Sequence, residues 1–136
     1  MERKYLPTLA DLFDRLSICQ LKEVFIPEHK QEYAEEIKDI MHDIDIILSG
    51  HEPMDVETII AIIVLSQMNL HIWHNESNIR KGIKDNNNLE LTHGLNGIRT
   101  TAKNKIQEKI GGRKDWKVDC LAANLSDELK SWEVSW

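Results

Sequence analysis

The chain is poor in the residues that interrupt or cross-link secondary structure. Its 136 residues include three prolines, six glycines and two cysteines. Cys19 and Cys120 lie far apart and match no metal or redox spacing, so the expectation is two reduced thiols in a reducing compartment. Long apolar runs are missing too. The longest, Ile59 to Leu65, is far too short to span a bilayer, and no membrane partner is expected. The opening MERKYLPTLADLF carries early charges, and acids break its apolar pattern, unlike a secretory signal. These absences lead to the expectation of a soluble, cytoplasmic protein, in the cytoplasm of a host cell if the chain is viral. There is no basic surplus either: the formal net charge is -6, which argues against general binding of duplex nucleic acid.

Familiar catalytic signatures are also lacking. No glycine-rich loop joins a strand to a helix, and no serine or cysteine nucleophile motif occurs. The six histidines, at 29, 42, 51, 71, 74 and 93, form no zinc signature; His71 and His74 flank Trp73. No catalytic residue, cofactor or metal is therefore expected.

What the sequence does contain is helix, and one domain over residues 1–136 is expected. Thr8 reads as an N-cap with Asp11 as its partner, and Leu9, Leu12, Phe13 and Leu16 follow helical spacing until Pro27. A second helix is predicted from Glu28 to Leu48, with Tyr33, Ile37, Ile40, Met41 and Ile47 inward and a left-handed Gly50 at its end. Asp55 caps a third helix reaching towards Ile83, whose segment Ile59 to Leu65 is apolar on every side and reads as fully buried. After an Asp85–Asn88 loop, a fourth helix spans Leu89 to Ile110 and stops at Gly111-Gly112. The tail holds Trp116, Trp132 and Trp136, with a short helix near Ser126 to Trp132. The predicted fold is an all-α antiparallel bundle of about four main helices with a docked C-terminal tail or short helix.

Two polar stripes stand out. On the third helix Asn69, Trp73, Glu76 and Arg80 fall within a narrow arc. Tryptophan offers a face for stacking, arginine a fork for phosphate or carboxylate, and glutamate can orient that arginine or accept from a base edge. On the fourth helix His93, Asn96, Arg99, Thr100 and Lys103 share one face, beside apolar Leu91, Leu95, Ile98, Ala102 and Ile106. Gly94 and Gly97 each weaken that helix by about 1 kcal/mol, a cost compatible with close approach of a helix or a ligand. The bland alternatives are a structural tryptophan beside an ordinary ion pair, and tight packing beside solvated basic residues. Charge is segregated as well: ten acids and two lysines from Glu28 to Glu57, but ten basic residues and four acids from Arg80 to Lys117. Two solvated faces attracting one another across the bundle would give the same pattern.

The segments LADLFDRLSICQLK (9–22), NLHIWHNESNIRKG (69–82) and GLNGIRTTAKNKI (94–106) carry D-R-L-S-I-x-x-L-K, W-x-x-E-x-x-I-R and N-x-x-R-x-x-x-K-N patterns. In these patches, roughly 40 residues, the chain resembles a group of small all-helical proteins, some bacterial and linked to surface-sugar pathways. In length, acidity and asparagine-rich style it looks like a phage protein, similar in kind to the anti-CBASS 4 sponges. Such a resemblance implies an oligomer that sequesters a cyclic dinucleotide such as cGAMP without cleaving it, blocking host CBASS signalling. It implies a ligand on Trp73, Glu76, Arg80, Asn96, Arg99 and Lys103, supported by Asp14, Arg15 and Lys22; Thr100 joins this set from the stripe itself.

The expected function is thus a non-enzymatic binding protein for a small anionic ligand, a cyclic oligonucleotide, forming a homo-oligomer (dimer or tetramer). Two other readings remain. The run Glu32, Glu35, Glu36, Asp39 and Asp43 could serve a magnesium-dependent all-α nucleotide pyrophosphohydrolase, although helix three lacks the matching acidic pair. The tail tryptophans could instead make the chain a protein-interaction module.

Overall fold

The structure, a computed structural model, describes residues 6–82 and 88–110. They form four α-helices: α1 (Leu9–Phe25), α2 (Lys30–Ser49), α3 (Val56–Arg80) and α4 (Asn88–Ile110), with a single 3-10 turn (Pro27–His29) before α2. The fold is all-α, as the periodicity predicts. The predicted short helix near Ser126 to Trp132 and the docked tail lie outside the described residues.

Two helix starts are set by local chemistry. The Thr8 hydroxyl accepts from the Asp11 backbone N–H at 3.1 Å, and the Asp11 carboxylate accepts from the Thr8 N–H at 2.9 Å, a complete capping box. Asp55 Oδ1 accepts from both the backbone N–H and the hydroxyl of Thr58, at 2.9 and 2.7 Å. Two ends depart from expectation. α2 starts at Lys30, because Pro27 pre-sets a 3-10 turn that takes up Glu28. Gly50 closes α2 with φ -100°, outside the left-handed region; the one positive φ among described residues is at Gly82 (+75°), just beyond α3, which ends at Arg80 rather than near Ile83.

The helices alternate in direction. Lys109 near the end of α4 pairs with Asp55 and Glu57 at the start of α3, while Asn75 in α3 bonds Thr92 in α4, so these two run antiparallel. Their packing side is the larger core: Ala61, Val64, Leu65 and Met68 of α3 against Leu95, Ile98, Ala102 and Ile106 of α4, joined by Ala10 of α1. A smaller core forms on the other side of α1, from Leu9, Leu12 and Cys19 against Ile40 and Ile44 of α2. Helix α1 is therefore the shared element, and among described elements α2 packs against α1 but not against α3 or α4.

This layered arrangement corrects two expectations. The Ile59–Leu65 segment is buried on one side only: Leu65 is sealed, whereas Ile59 and Ile63 are 45% and 52% exposed, because α2 does not cover the outer face of α3. Helix α3 is long and apolar enough, by length and composition, to cross a membrane. In this fold its inward face supplies the main core. On α2, Ile40 and Ile44 are buried and Ile37 and Ile47 half-buried, but Met41 lies on the exposed side.

Candidate functional site

Where α1, α3 and α4 meet, one carboxylate gathers the polar groups of all three. Asp14 is 6% exposed. Its Oδ1 accepts from the Asn69 amide of α3 at 2.9 Å and from Arg99 Nε of α4 at 3.0 Å, and its Oδ2 accepts from Arg99 Nη2. The guanidinium is thereby held by two parallel bonds, the geometry that fits a planar fork to a carboxylate. Asn96, one turn earlier on α4, accepts from Arg99 Nη1 at 3.5 Å and anchors its own amide on the Thr92 carbonyl at 3.0 Å. One turn later, Lys103 Nζ lies 2.6 Å from Asp11 and 3.8 Å from Asp14. Two aspartates a turn apart on α1 thus face two cations a turn apart on α4.

Asp11 has two tasks, since one oxygen closes the capping box and the other meets Lys103. Burial alone would raise its pKa. The Lys103 ammonium and the Thr8 N–H outweigh that and hold the carboxyl below its usual value.

Two clefts flank this ionic centre and share Ile18 of α1. The smaller, about 240 Å³, is lined by Ile18 and Leu21 of α1, by Asn69, Ile72, Trp73 and Glu76 of α3, and by Asn96 and Arg99 of α4. Ile18, Leu21 and Ile72 give it an apolar wall, and amide, carboxylate and guanidinium groups give it hydrogen-bonding edges. Trp73 is braced by Phe25, whose ring stacks at 6.1 Å and 25°. The larger cleft, about 630 Å³, runs between α1, Glu36 of α2 and Lys103 of α4. Asp11, Asp14, Arg15, Cys19 and Lys22 line its α1 side. Lys22 sits over the Tyr33 ring, 5.8 Å from its centroid, while Arg15 is exposed and makes no ion pair among the described residues. Cys19 is sealed; burial, then its bond with Glu36, pushes its thiol up to about 11, which leaves it a thiol at neutral pH.

Of the seven residues predicted from the two stripes, Trp73, Glu76, Asn96 and Arg99 meet around the smaller cleft. Lys103 lies on the larger one. Arg80 does not join them: it is exposed on the final turn of α3, past the end of α1. Thr100 is half-buried but lines neither cleft, since one residue along a helix turns its side chain about 100° from that of Arg99. Sequence reasoning also treated Arg99 and Lys103 as cations available to a ligand. In the fold they are matched by Asp14 and Asp11, so the centre is close to neutral. The signal for this was the acidic pair one turn apart on α1, of which Asp11 was read as a cap.

Of the acidic run of α2, Glu36 lines the larger cleft and the other four members point elsewhere. Glu32, Glu35, Asp39 and Asp43 are exposed, and their ion pairs are local, to His29, Lys38 and His42. Among the described residues no group of three or more His, Cys, Asp or Glu side chains is placed to hold a metal ion. Among the described residues, the segregated charges meet across the bundle where Lys109 reaches Asp55 and Glu57.

Comparison with protein-family models, curated proteins and solved structures gave no match.

Proposed function

We propose that the chain binds a small anionic ligand carrying a planar ring, of the nucleotide class, and holds it without converting it. The observation that supports this reading is the smaller cleft, where Trp73, Glu76, Asn96 and Arg99 converge from two helices on an apolar wall. Its volume, about 240 Å³, suits one ring system rather than a whole dinucleotide. Stacking on an aromatic side chain contributes about 1–3 kcal/mol per base, and amide and carboxylate edges can read the ring's rim.

Charge distribution decides where the anionic part would go. Asp11 and Asp14 offset Lys103 and Arg99, so the ionic centre has little attraction left for a phosphate. The cations beyond it are Arg15 and Lys22, both on the larger cleft across Ile18. A ring beside Trp73 with a phosphoryl group towards Arg15 and Lys22 uses both clefts. A cyclic dinucleotide has two such units, and a two-fold homo-oligomer would present two equivalent clefts to it. Sequestration of such a messenger is the specific form of the proposal.

The test is a thermal-shift screen with cyclic dinucleotides, cyclic trinucleotides and linear nucleotides, with and without magnesium, followed by recovery of the ligand. A stabilising nucleotide, magnesium-independent and recovered intact, supports a binding protein. Release of pyrophosphate or a linear product would refute it in favour of an enzyme.

A further inference from the structure

Helix α3 is apolar on two opposite sides. Ala61, Leu65, Met68 and Ile72 step by four, three and four, and they face the main core. A second series, Val56, Ile60, Ile63, Gln67, Leu70 and His74, steps by four and three in the same way, about 150° further round the helix. This is the spacing of a coiled-coil seam. The side chains of Val56 and Ile63 are 68% and 52% exposed, and Ile59 beside them is 45% exposed. Gln67 and His74 are exposed as well, while Ile60 and Leu70 are half-buried. No Asp, Glu, Lys or Arg occupies the series. The outward face of α2 differs, carrying the exposed charges Glu32, Glu35, Asp39 and Asp43. A helix with an apolar seam on each side is built to pack on both.

We infer that a second copy of the chain docks on this outer seam, α3 against α3, antiparallel about a two-fold axis level with Leu65. The series is self-complementary about that centre, as a two-fold interface requires. Val56 of one copy meets His74 of the other, Ile60 meets Leu70, and Ile63 meets Gln67, in six layers over about 27 Å. The two Gln67 side chains fall in adjacent central layers, where a polar group fixes register at some cost in stability. Phe25, 45% exposed and packed edge-on against His74 at 5.3 Å, borders Val56 of the other copy. Charge selects the antiparallel sense. Exposed Arg80, the last residue of α3, comes level with the 50–52 connection of the other copy, beside exposed Glu52. A parallel pair would set Glu52 against Glu52 and Arg80 against Arg80. The inference is independent of the nucleotide reading, because the seam lies on the side of α3 away from Leu65 and the core.

Sedimentation equilibrium of the full chain, from about 1 to 200 μM, tests this; the seam is shorter than a standard interface, so a dimer dissociating at about micromolar concentration is expected. Ile63→Glu should weaken dimerisation at least about a hundredfold with helical circular dichroism unchanged, since it places a carboxylate in each central layer. Met41→Glu, on the exposed side of α2, should leave dimerisation unchanged. At low salt Glu52→Lys should weaken the dimer about threefold or more, and adding Arg80→Glu should restore it. A monomer throughout the range, or a dimer indifferent to Ile63→Glu, would overturn the inference. Failure of Arg80→Glu to rescue Glu52→Lys would overturn the antiparallel sense. A monomer that instead pellets with phosphatidylcholine–phosphatidylglycerol vesicles, and loses this with Ile63→Glu, would give the face to a lipid surface and overturn the inference too.

Discussion

Replacing Asp14 by asparagine removes one charge while keeping the side chain's size, and the cost can be worked from its surroundings. Asp14 accepts from Asn69 and, twice, from Arg99. The Asp14 side chain is 9% exposed and that of Arg99 28%. Breaking a buried pair from one side costs about 3–5 kcal/mol, because the surviving charge keeps its desolvation penalty. Arg99 retains some water, which reduces the expected loss to about 2–3 kcal/mol. For a chain of this length that lowers Tm by about 10 °C. Urea unfolding followed by far-UV circular dichroism gives the free energy, and Arg99→Gln with the double variant completes a cycle. A coupling of about 1–3 kcal/mol is expected. Additive single changes, each below about 0.5 kcal/mol, would refute the view that this pair ties α1 to α4.

Other consequences follow from single sites. Thr8→Ala removes the hydroxyl half of the capping box and should cost about 1 kcal/mol in the same unfolding assay. Asp11 has a depressed folded pKa, so its contribution is present above its ordinary 3.8 and lost as pH falls through the lower folded value. Acid titration of stability should accordingly be shallower below pH 3.8 in Asp11→Asn than in the parent. Cys19, sealed and with its thiol raised to about 11, should resist alkylation in the folded protein and react on unfolding.

Much of the fold was legible because local chemistry and tertiary packing agree. The caps at Thr8 and Asp55 and the break at Pro27 mark boundaries that the helices respect to within a residue or two. The position of α2 was not legible. An amphipathic face says that a helix packs but not on what, and α2 packs on α1 alone, leaving Ile59 and Ile63 of α3 exposed. The site was half legible for the same reason. Spacing along one helix put Trp73 with Glu76, and Asn96 with Arg99, and the fold brings the pairs to one cleft. That Arg99 meets a carboxylate 85 residues earlier in the chain depends on how α1 crosses α4, which no periodicity encodes. Arg80 shared the arc of Trp73 but sits beyond the end of α1, away from the cleft where the other residues of the stripes converge.

The measurement that bears most directly on the central claim is calorimetric titration of the most stabilising nucleotide into the parent chain, Trp73→Ala and Lys22→Glu. The account predicts saturable binding to the parent, weakened about tenfold or more by Trp73→Ala through loss of stacking. It also predicts weakening by Lys22→Glu that shrinks as salt is raised. Binding unchanged in both variants, or no nucleotide bound at all, would contradict it and return the smaller cleft to an ordinary junction of three helices.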